Sequence, residues 1–363
     1  MEDGIRKKKR NILWLLLFVL VNALIIAWIA FREFHNSGEV ARFALGEHGA
    51  LFLTAAFGCM AVVLLTETVK FLITARSLRE ALSFRDAFET VALGKYYDSI
   101  TPTGGGGQPF QMYWLYRKGL STKAATAVAA SGFITRQLAA ILVALLTFFL
   151  WRGNSVMEGI RYVAWAGLVC CAFPPCFEIA FSLKPDVIKA LIRLILRCGA
   201  KLRLVKDPDG LQEKIIHSLM QYREGFLQIG GNALLTLELM LLSVLCRIAL
   251  CSIPYFVLLS LGCRTGYLDT LALTVYIYAA VTLIPTPGHS GVSEGAFYLV
   301  FSGIGSSGVF WAMLLWRLVC YYSLLLLGLL LLGILTRRYI RKPAPDSGTQ
   351  AHDAEHSDPA EQQ

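Results

Sequence analysis

The sequence predicts an all-α polytopic membrane protein, with about six full transmembrane helices and two Pro/Gly-broken re-entrant hairpins in an inverted repeat. Three observations predict it. Apolar runs of membrane-spanning length recur along a chain that is 56% hydrophobic and 16% charged. Lys and Arg collect in the short connections on one side of those runs. Two shorter segments, interrupted by proline and glycine, occupy matching places in the two halves of the chain.

The first run, "ILWLLLFVLVNALIIAWIAF" (12–31), follows "RKKKR". It is too long for the apolar core of a signal peptide and no small-residue cleavage site follows it, so it reads as a retained signal anchor. Further spans are expected at 50–71, 124–150, 160–182, 233–260 and 309–335. The interrupted segments are 86–118 and 268–305. Residues 184–231 open with "KPDVIKALIRLILRCGAKLRLVK", apolar at helical spacing with basic residues between. They read as a cytoplasmic amphipathic region lying on the membrane face, followed by a more polar helix. The whole of 1–342 is expected to be one transmembrane domain. The polar tail, 343–363, has nothing to bury and is expected to be disordered on the cytoplasmic side.

Charge placement sets the expected topology. With the N-terminus inside and each interrupted segment returning to its own side, cytoplasmic loops carry 24 Lys and Arg and external loops five. Both termini are therefore expected in the cytoplasm of a multi-pass protein. A re-entrant hairpin and a pair of full spans give the same parity, so the count leaves that choice open. The formal charge of +9 is spread through these loops, which leaves no basic domain for nucleic acid. The nine cysteines form no CxxC pair and have no histidine companions; they read as small apolar side chains, with no metal and no cofactor implied.

Shifting the chain by 183 residues lays 50–150 over 233–333. Ser77-Leu78 then falls on Ser260-Leu261, Asp86 on Asp269, Pro102-Thr103 on Pro285-Thr286 and Gly105 on Gly288, and Arg136 comes within two residues of Arg317. The first copy starts outside and the second inside, so the copies are inverted, a pattern of transporters whose broken helices point to the binding site.

In the first break, "YYDSITPTGGGGQPFQMYWLYRKG" (96–119), glycines lie between closely spaced apolar segments. No Gly-Lys-Ser/Thr follows, which excludes a Walker-type loop. Exposed backbone in lipid survives only where protein or a watery cavity satisfies it, and a half-helix starting there aims its N–H groups at that cavity, which suits an anion. Asp98, Thr103, Gly104, Gly105, Gly106, Gly107 and Gln108 are the candidate residues of this break. The second break, "TLIPTPGHSGVSEGAFYLVFSGIG" (282–305), contributes Pro287, Gly288, His289 and Glu294. Arg136, Arg247 and Arg317 fall near the middle of spans, where an arginine costs about 2.5–3.5 kcal/mol. Either they pair with Glu67, Glu178, Glu238, Glu294 or Asp98 to fix the bundle, or they face a cavity and hold a phosphate, with Arg136 and Arg317 favoured by the repeat. No Ser/His/Asp set, HExxH motif or nucleotide fingerprint gives catalysis a seat.

The blocks "TPTGGGGQPFQMYWLYRKGLSTKAATA", "SGFITRQ", "IPTPGHSGVSEGAF" and "LLWRLVCYYSLLLLG" resemble those of the lysylphosphatidylglycerol synthase transmembrane-region, or flippase-like domain, family across roughly 12–340. The resemblance implies a bacterial cytoplasmic-membrane lipid translocase whose substrate is a phospholipid, with aminoacylated phosphatidylglycerol as one candidate. It maps the family's blocks to Gly104–Gly107 with Gln108 and Pro109, to Pro285–Gly288 and Glu294, and to Arg136 and Arg317. The alternative it implies is the membrane component of phosphatidylglycerol lysyltransferase, which serves resistance to cationic antimicrobial peptides, or of a glycolipid or polyprenyl-phosphate pathway. The family's catalytic synthase domain is not expected here, because the chain ends about 28 residues past the last span. A separate cytoplasmic synthase and a second copy of the chain are the candidate protein partners. The family's first block carries an acidic residue after the glycines where this chain has Gln108, which opens the headgroup to something other than lysyl.

Overall fold

A computed structural model describes residues 45–101, 104–150, 158–183, 230–282, 284, 286–302 and 308–341. The expected first span, most of the 184–231 region, the tail and Thr103 lie outside the described residues. Every regular element among the described residues is helical. They are α1 (Gly49–Ser77), α2 (Phe84–Ile100), α3 (Gly107–Arg117), α4 (Thr122–Leu150), α5 (Glu158–Leu183), α6 (Ala233–Ser260), α7 (Tyr267–Val281), α8 (Val292–Ser302), α9 (Val309–Arg317) and α10 (Ser323–Arg341). A single 3-10 turn, Pro287–His289, precedes α8, and a π turn, Leu318–Tyr322, joins α9 to α10 without a break in direction.

Among the described residues, four stretches are long and apolar enough to cross a membrane: Gly49–Ser77, Thr122–Leu150, Ala233–Ser260 and Val309–Leu335. They coincide with four of the expected spans, and α5 covers the expected 160–182. Their hydroxyl residues turn back on the helix. Thr68 donates to Leu64 O (2.7 Å), Thr135 to Ser131 O (2.8 Å) and Thr147 to Val143 O (2.7 Å), so these hydroxyls are satisfied within their own helices. Large apolar side chains such as Phe149, Leu234, Leu241 and Leu330 remain exposed, as a lipid-facing surface requires. The cysteines among the described residues are free thiols. Cys246 and Cys251 are buried, while Cys170 and Cys176 are exposed. They sit on the outward face of α5, where lipid in place of water makes exposure of a thiol inexpensive.

Ends of the elements follow local chemistry. Ser83 caps α2, accepting from Asp86 N (3.1 Å), and Asn232 caps α6, accepting from Leu235 N (3.1 Å). Gly262, with φ +77°, ends the turn after α6. The repeat is visible in the boundaries: Phe84 and Tyr267 begin α2 and α7, and Ser77 and Ser260 end α1 and α6, each pair 183 residues apart.

Helices α1 and α6 form the central pair and run antiparallel. Gly46, just before α1, donates its N–H to Ser260 O at the end of α6 (2.9 Å), while Lys70 near the end of α1 reaches Ser243 in the first half of α6 (2.9 Å). A Cβ on Gly49 would overlap Ser260 O, so glycine permits this close approach. The core around the pair buries Phe71, Ile253, Val257 and Leu258, and continues through Phe297 stacked on Trp316 (4.9 Å between rings). Helix α7 is buried against α5 and α6, and α2 lies between α1 and α10.

Candidate functional site

Each interrupted segment consists of two helices meeting at a break, and the two breaks meet each other. In the first, α2 ends at Ile100 and α3 starts at Gly107. The chain turns on Gly104 (φ +65°), whose N–H is accepted by Thr101 O (3.2 Å). Thr101 Oγ1 accepts from Gly106 N (2.9 Å), and Asp98 Oδ1 accepts from Gly107 N (2.8 Å). A side chain on Gly107 would overlap Asp98 and Gly94 O, which explains the glycine. Gln108, half-buried, follows at the second position of α3, and Gly105 is exposed.

In the second break, α7 ends at Val281 and the chain passes through the 3-10 turn into α8. Gly288 (φ +56°) and His289 (φ +54°) are both left-handed, a conformation that costs a non-glycine residue of order 1–3 kcal/mol unless its surroundings hold it there. Arg317 supplies that hold. Its Nη1 donates to Gly288 O (3.4 Å), and its Nη2 donates to His289 O (3.3 Å), to Ser293 Oγ and to Glu294 Oε2 (2.7 Å). Glu294 Oε2 also accepts from Gly291 N (2.7 Å), the half of a capping box in which the third residue of a helix reaches back to its start. The carboxylate and guanidinium are 3% and 7% exposed, so this is a buried ion pair.

Contact between the breaks is direct. Tyr321, in the π turn, donates its hydroxyl to Ser99 O at the end of α2 (3.3 Å). A Cβ on Gly288 would overlap the Tyr321 ring and come within 2.9 Å of Ser99 O, while one on Gly104 would lie 3.8 Å from His289 Nε2. Around this junction four buried polar atoms have no hydrogen-bond partner among the described residues: Thr286 Oγ1, His289 Nδ1, Ser290 Oγ and Arg317 Nε. Buried polar groups are rarely left so, and a cluster of them marks a place for water or a polar ligand.

The expectation that the half-helix starts aim free N–H groups at an anion meets a different arrangement. The N–H groups of Gly106 and Gly107 are taken by Thr101 and Asp98, that of Gly291 is taken by Glu294, and Pro109 has no N–H to offer, which leaves those of Gln108, Val292, Ser293 and Glu294 as the ones that could face a ligand. A negative charge does sit at each positive helix end, but the protein supplies it.

Of the sequence-selected residues, Gly104, Asp98, Gly106, Gly107, Gly288, His289, Glu294 and Arg317 come together at or beside the junction. Pro287 belongs to the same turn through its backbone, and Thr103 is outside the described residues. Arg136 belongs to a second group. It lies 3.8 Å from Glu67, whose other oxygen is 3.2 Å from Lys70, and Cys246 donates to Glu67 at 3.6 Å. Arg247 takes neither role and lies over the Tyr278 ring at 5.8 Å. Of the remaining acidic candidates, Glu238 is exposed on α6, and the side chain of Glu178 is outside the described residues.

Lys70, Lys95, Ser293 and Tyr321 escaped sequence reasoning. Lys70 carried a usable signal: Glu67 and Lys70, three apart in an apolar span, face one another on a helix. Tyr321 carried none, since one tyrosine in an apolar helix is ordinary.

A family model described as the lysylphosphatidylglycerol synthase TM region matches residues 12–328. The chain is also 22% identical over 230 residues to the UPF0104 membrane protein of Pyrococcus horikoshii, covering 62% of this chain and 68% of that protein.

Proposed function

The chain belongs to the lysylphosphatidylglycerol synthase transmembrane-region family, and from that membership we propose that it translocates a phospholipid across the bacterial cytoplasmic membrane with both termini inside. The observation that carries this reading is the junction of the two breaks. Gly104 and Gly288–His289 meet beside buried, unpartnered polar atoms, at matching points of two helix sets whose lead helices run antiparallel. Such a junction gives a polar headgroup a path between halves while acyl chains stay in lipid. Arg136, with its side chain 20% exposed, is the arginine available to a headgroup phosphate, whereas Arg317 is committed to Glu294 and the turn.

A second reading follows from the family's name: the membrane component of lysylphosphatidylglycerol synthesis, docking a separate cytoplasmic synthase. Both are tested in liposomes holding the full chain and fluorescent phosphatidylglycerol in the inner leaflet, with dithionite access reporting arrival outside. Translocation above empty liposomes, reduced at least tenfold in Arg136→Ala with unchanged thermal stability, supports the first. No movement of phosphatidylglycerol or its lysyl form by the native chain overturns it.

A further inference from the structure

The group around Glu67 carries more positive charge than its own carboxylates can balance. Glu67 is 2% exposed and is shared between Lys70, which is fully buried at 3.2 Å, and Arg136 at 3.8 Å. Lys70 is held further by Ser243 Oγ (2.9 Å), so its ammonium is committed to the α1–α6 interface. Lys95, on α2, has Arg136, Glu67, Cys246 and Asp98 as its electrostatic neighbours. It makes no ion pair within 4 Å among the described residues and is only partly buried. Asp98 is engaged with Gly107 N at the first break. Three cations and two carboxylates leave one net positive charge, and the two cations that are not fully buried are Lys95 and Arg136. An unbalanced charge inside a membrane protein is costly unless an anion completes it.

We infer that Lys95 and Arg136 form a subsite for a single phosphodiester monoanion, next to the first break. The inference rests on the lipid reading of the junction and names the chemistry the site accepts. One negative charge balances the group, whereas the dianion of a phosphomonoester leaves it negative. The guanidinium offers a planar fork to two phosphate oxygens, and the ammonium a point charge to a third contact. Asp98 at the edge of the subsite places a carboxylate where a cationic or hydroxyl-rich headgroup would extend beyond the phosphate. The junction side contributes no net charge, because Arg317 and Glu294 cancel.

Native mass spectrometry of the full chain in neutral detergent tests this, titrated with phosphatidylglycerol, with phosphatidic acid, with a neutral diacyl glycolipid and with inorganic phosphate as competitor. Lys95→Gln is compared with the native chain, with Lys95→Arg and with Arg264→Gln, an exposed loop arginine that reports general surface attraction. The expected result is about tenfold or more weaker phosphatidylglycerol binding in Lys95→Gln, near-native binding in Lys95→Arg and Arg264→Gln, and unchanged glycolipid adducts. Thermal stability of Lys95→Gln should equal or exceed native, since an unbalanced charge is removed; a merely structural lysine would lower it. Equal phosphatidylglycerol binding by native and Lys95→Gln overturns the subsite and leaves the translocase reading standing. Phosphatidic acid binding more tightly than phosphatidylglycerol, or inorganic phosphate displacing it at equal concentration, overturns the phosphodiester assignment. Absence of phosphatidylglycerol binding by the native chain overturns the lipid reading together with the subsite.

Discussion

Replacing Arg317 with methionine removes the side chain that ties α9 to the turn of the second break by hydrogen bonds. Methionine fills most of the volume, so the loss is electrostatic. Glu294, 3% exposed, keeps Gly291 N–H at 2.7 Å and Ser293 Oγ at 3.3 Å but loses its counter-ion. Breaking a buried pair by removing one partner costs about 3–5 kcal/mol. The bonds to Gly288 O and His289 O, at 3.4 and 3.3 Å, are long and add little, while the two donors left on Glu294 compensate in part. The expected loss is therefore about 3 kcal/mol, the low end of that range. Thermal unfolding in detergent, followed by tryptophan fluorescence, reads it as a drop of several degrees. The double variant Arg317→Met/Glu294→Gln should recover most of the loss, because the abandoned charge is gone and the glutamine still accepts from Gly291 N. An Arg317→Met protein within about 1 kcal/mol of native, or a double variant no better than the single, would refute the account of Arg317 as the clasp of the turn.

Two further outcomes are expected. Gly288→Ala should lower stability by about 1–3 kcal/mol and slow translocation in the liposome assay, because the residue is left-handed and its Cβ would overlap the Tyr321 ring; native behaviour in both assays would refute a role for the junction. Asp86 lies outside the spanning segments, with Lys118 Nζ at 2.6 Å. Burial alone raises its pKa, but hydrogen bonds from Lys118 and Ser83 and the charges of Lys118 and Arg85 outweigh that and hold it below 3.8. A depressed carboxyl contributes stability that is complete above its unfolded value and lost as pH falls through the folded one. Unfolding temperature should therefore fall as pH drops below about 4, and fall less steeply in Asp86→Asn; parallel curves would deny the link.

How much of this was open to reading from residues alone differs by level. Spans at 50–71, 124–150, 233–260 and 309–335 were legible because a run of about 20 apolar residues has one outcome in a membrane, whatever surrounds it. The breaks were legible because proline and glycine at 102–109 and 285–291 cannot continue a helix cheaply. Arg317 and Glu294 were both selected, but the repeat presented Arg136 and Arg317 as equivalents. In the structure one is locked to a turn and the other sits with Glu67, Lys70 and Lys95 on a different group of helices. The repeat equivalent of Glu294 is Gln111, buried against Gly94, so the acidic partner of the first half comes from Asp98 at the end of the preceding helix.

Composition and spacing determine that the chain enters a membrane, where its helices start and stop, and that two of its segments are interrupted. These are local consequences of hydropathy and backbone geometry, and each can be evaluated over one or two turns of chain. Which side chains meet is another matter. Tyr321 reaches Ser99 across 222 positions, Cys246 reaches Glu67 across 179, and Lys70 reaches Ser243 across 173. Contacts over such separations depend on how helices rotate and cross, which small energy differences in packing decide and no local pattern encodes. Only the tertiary structure therefore separates a clasped arginine from an available one, and brings the two breaks to one place.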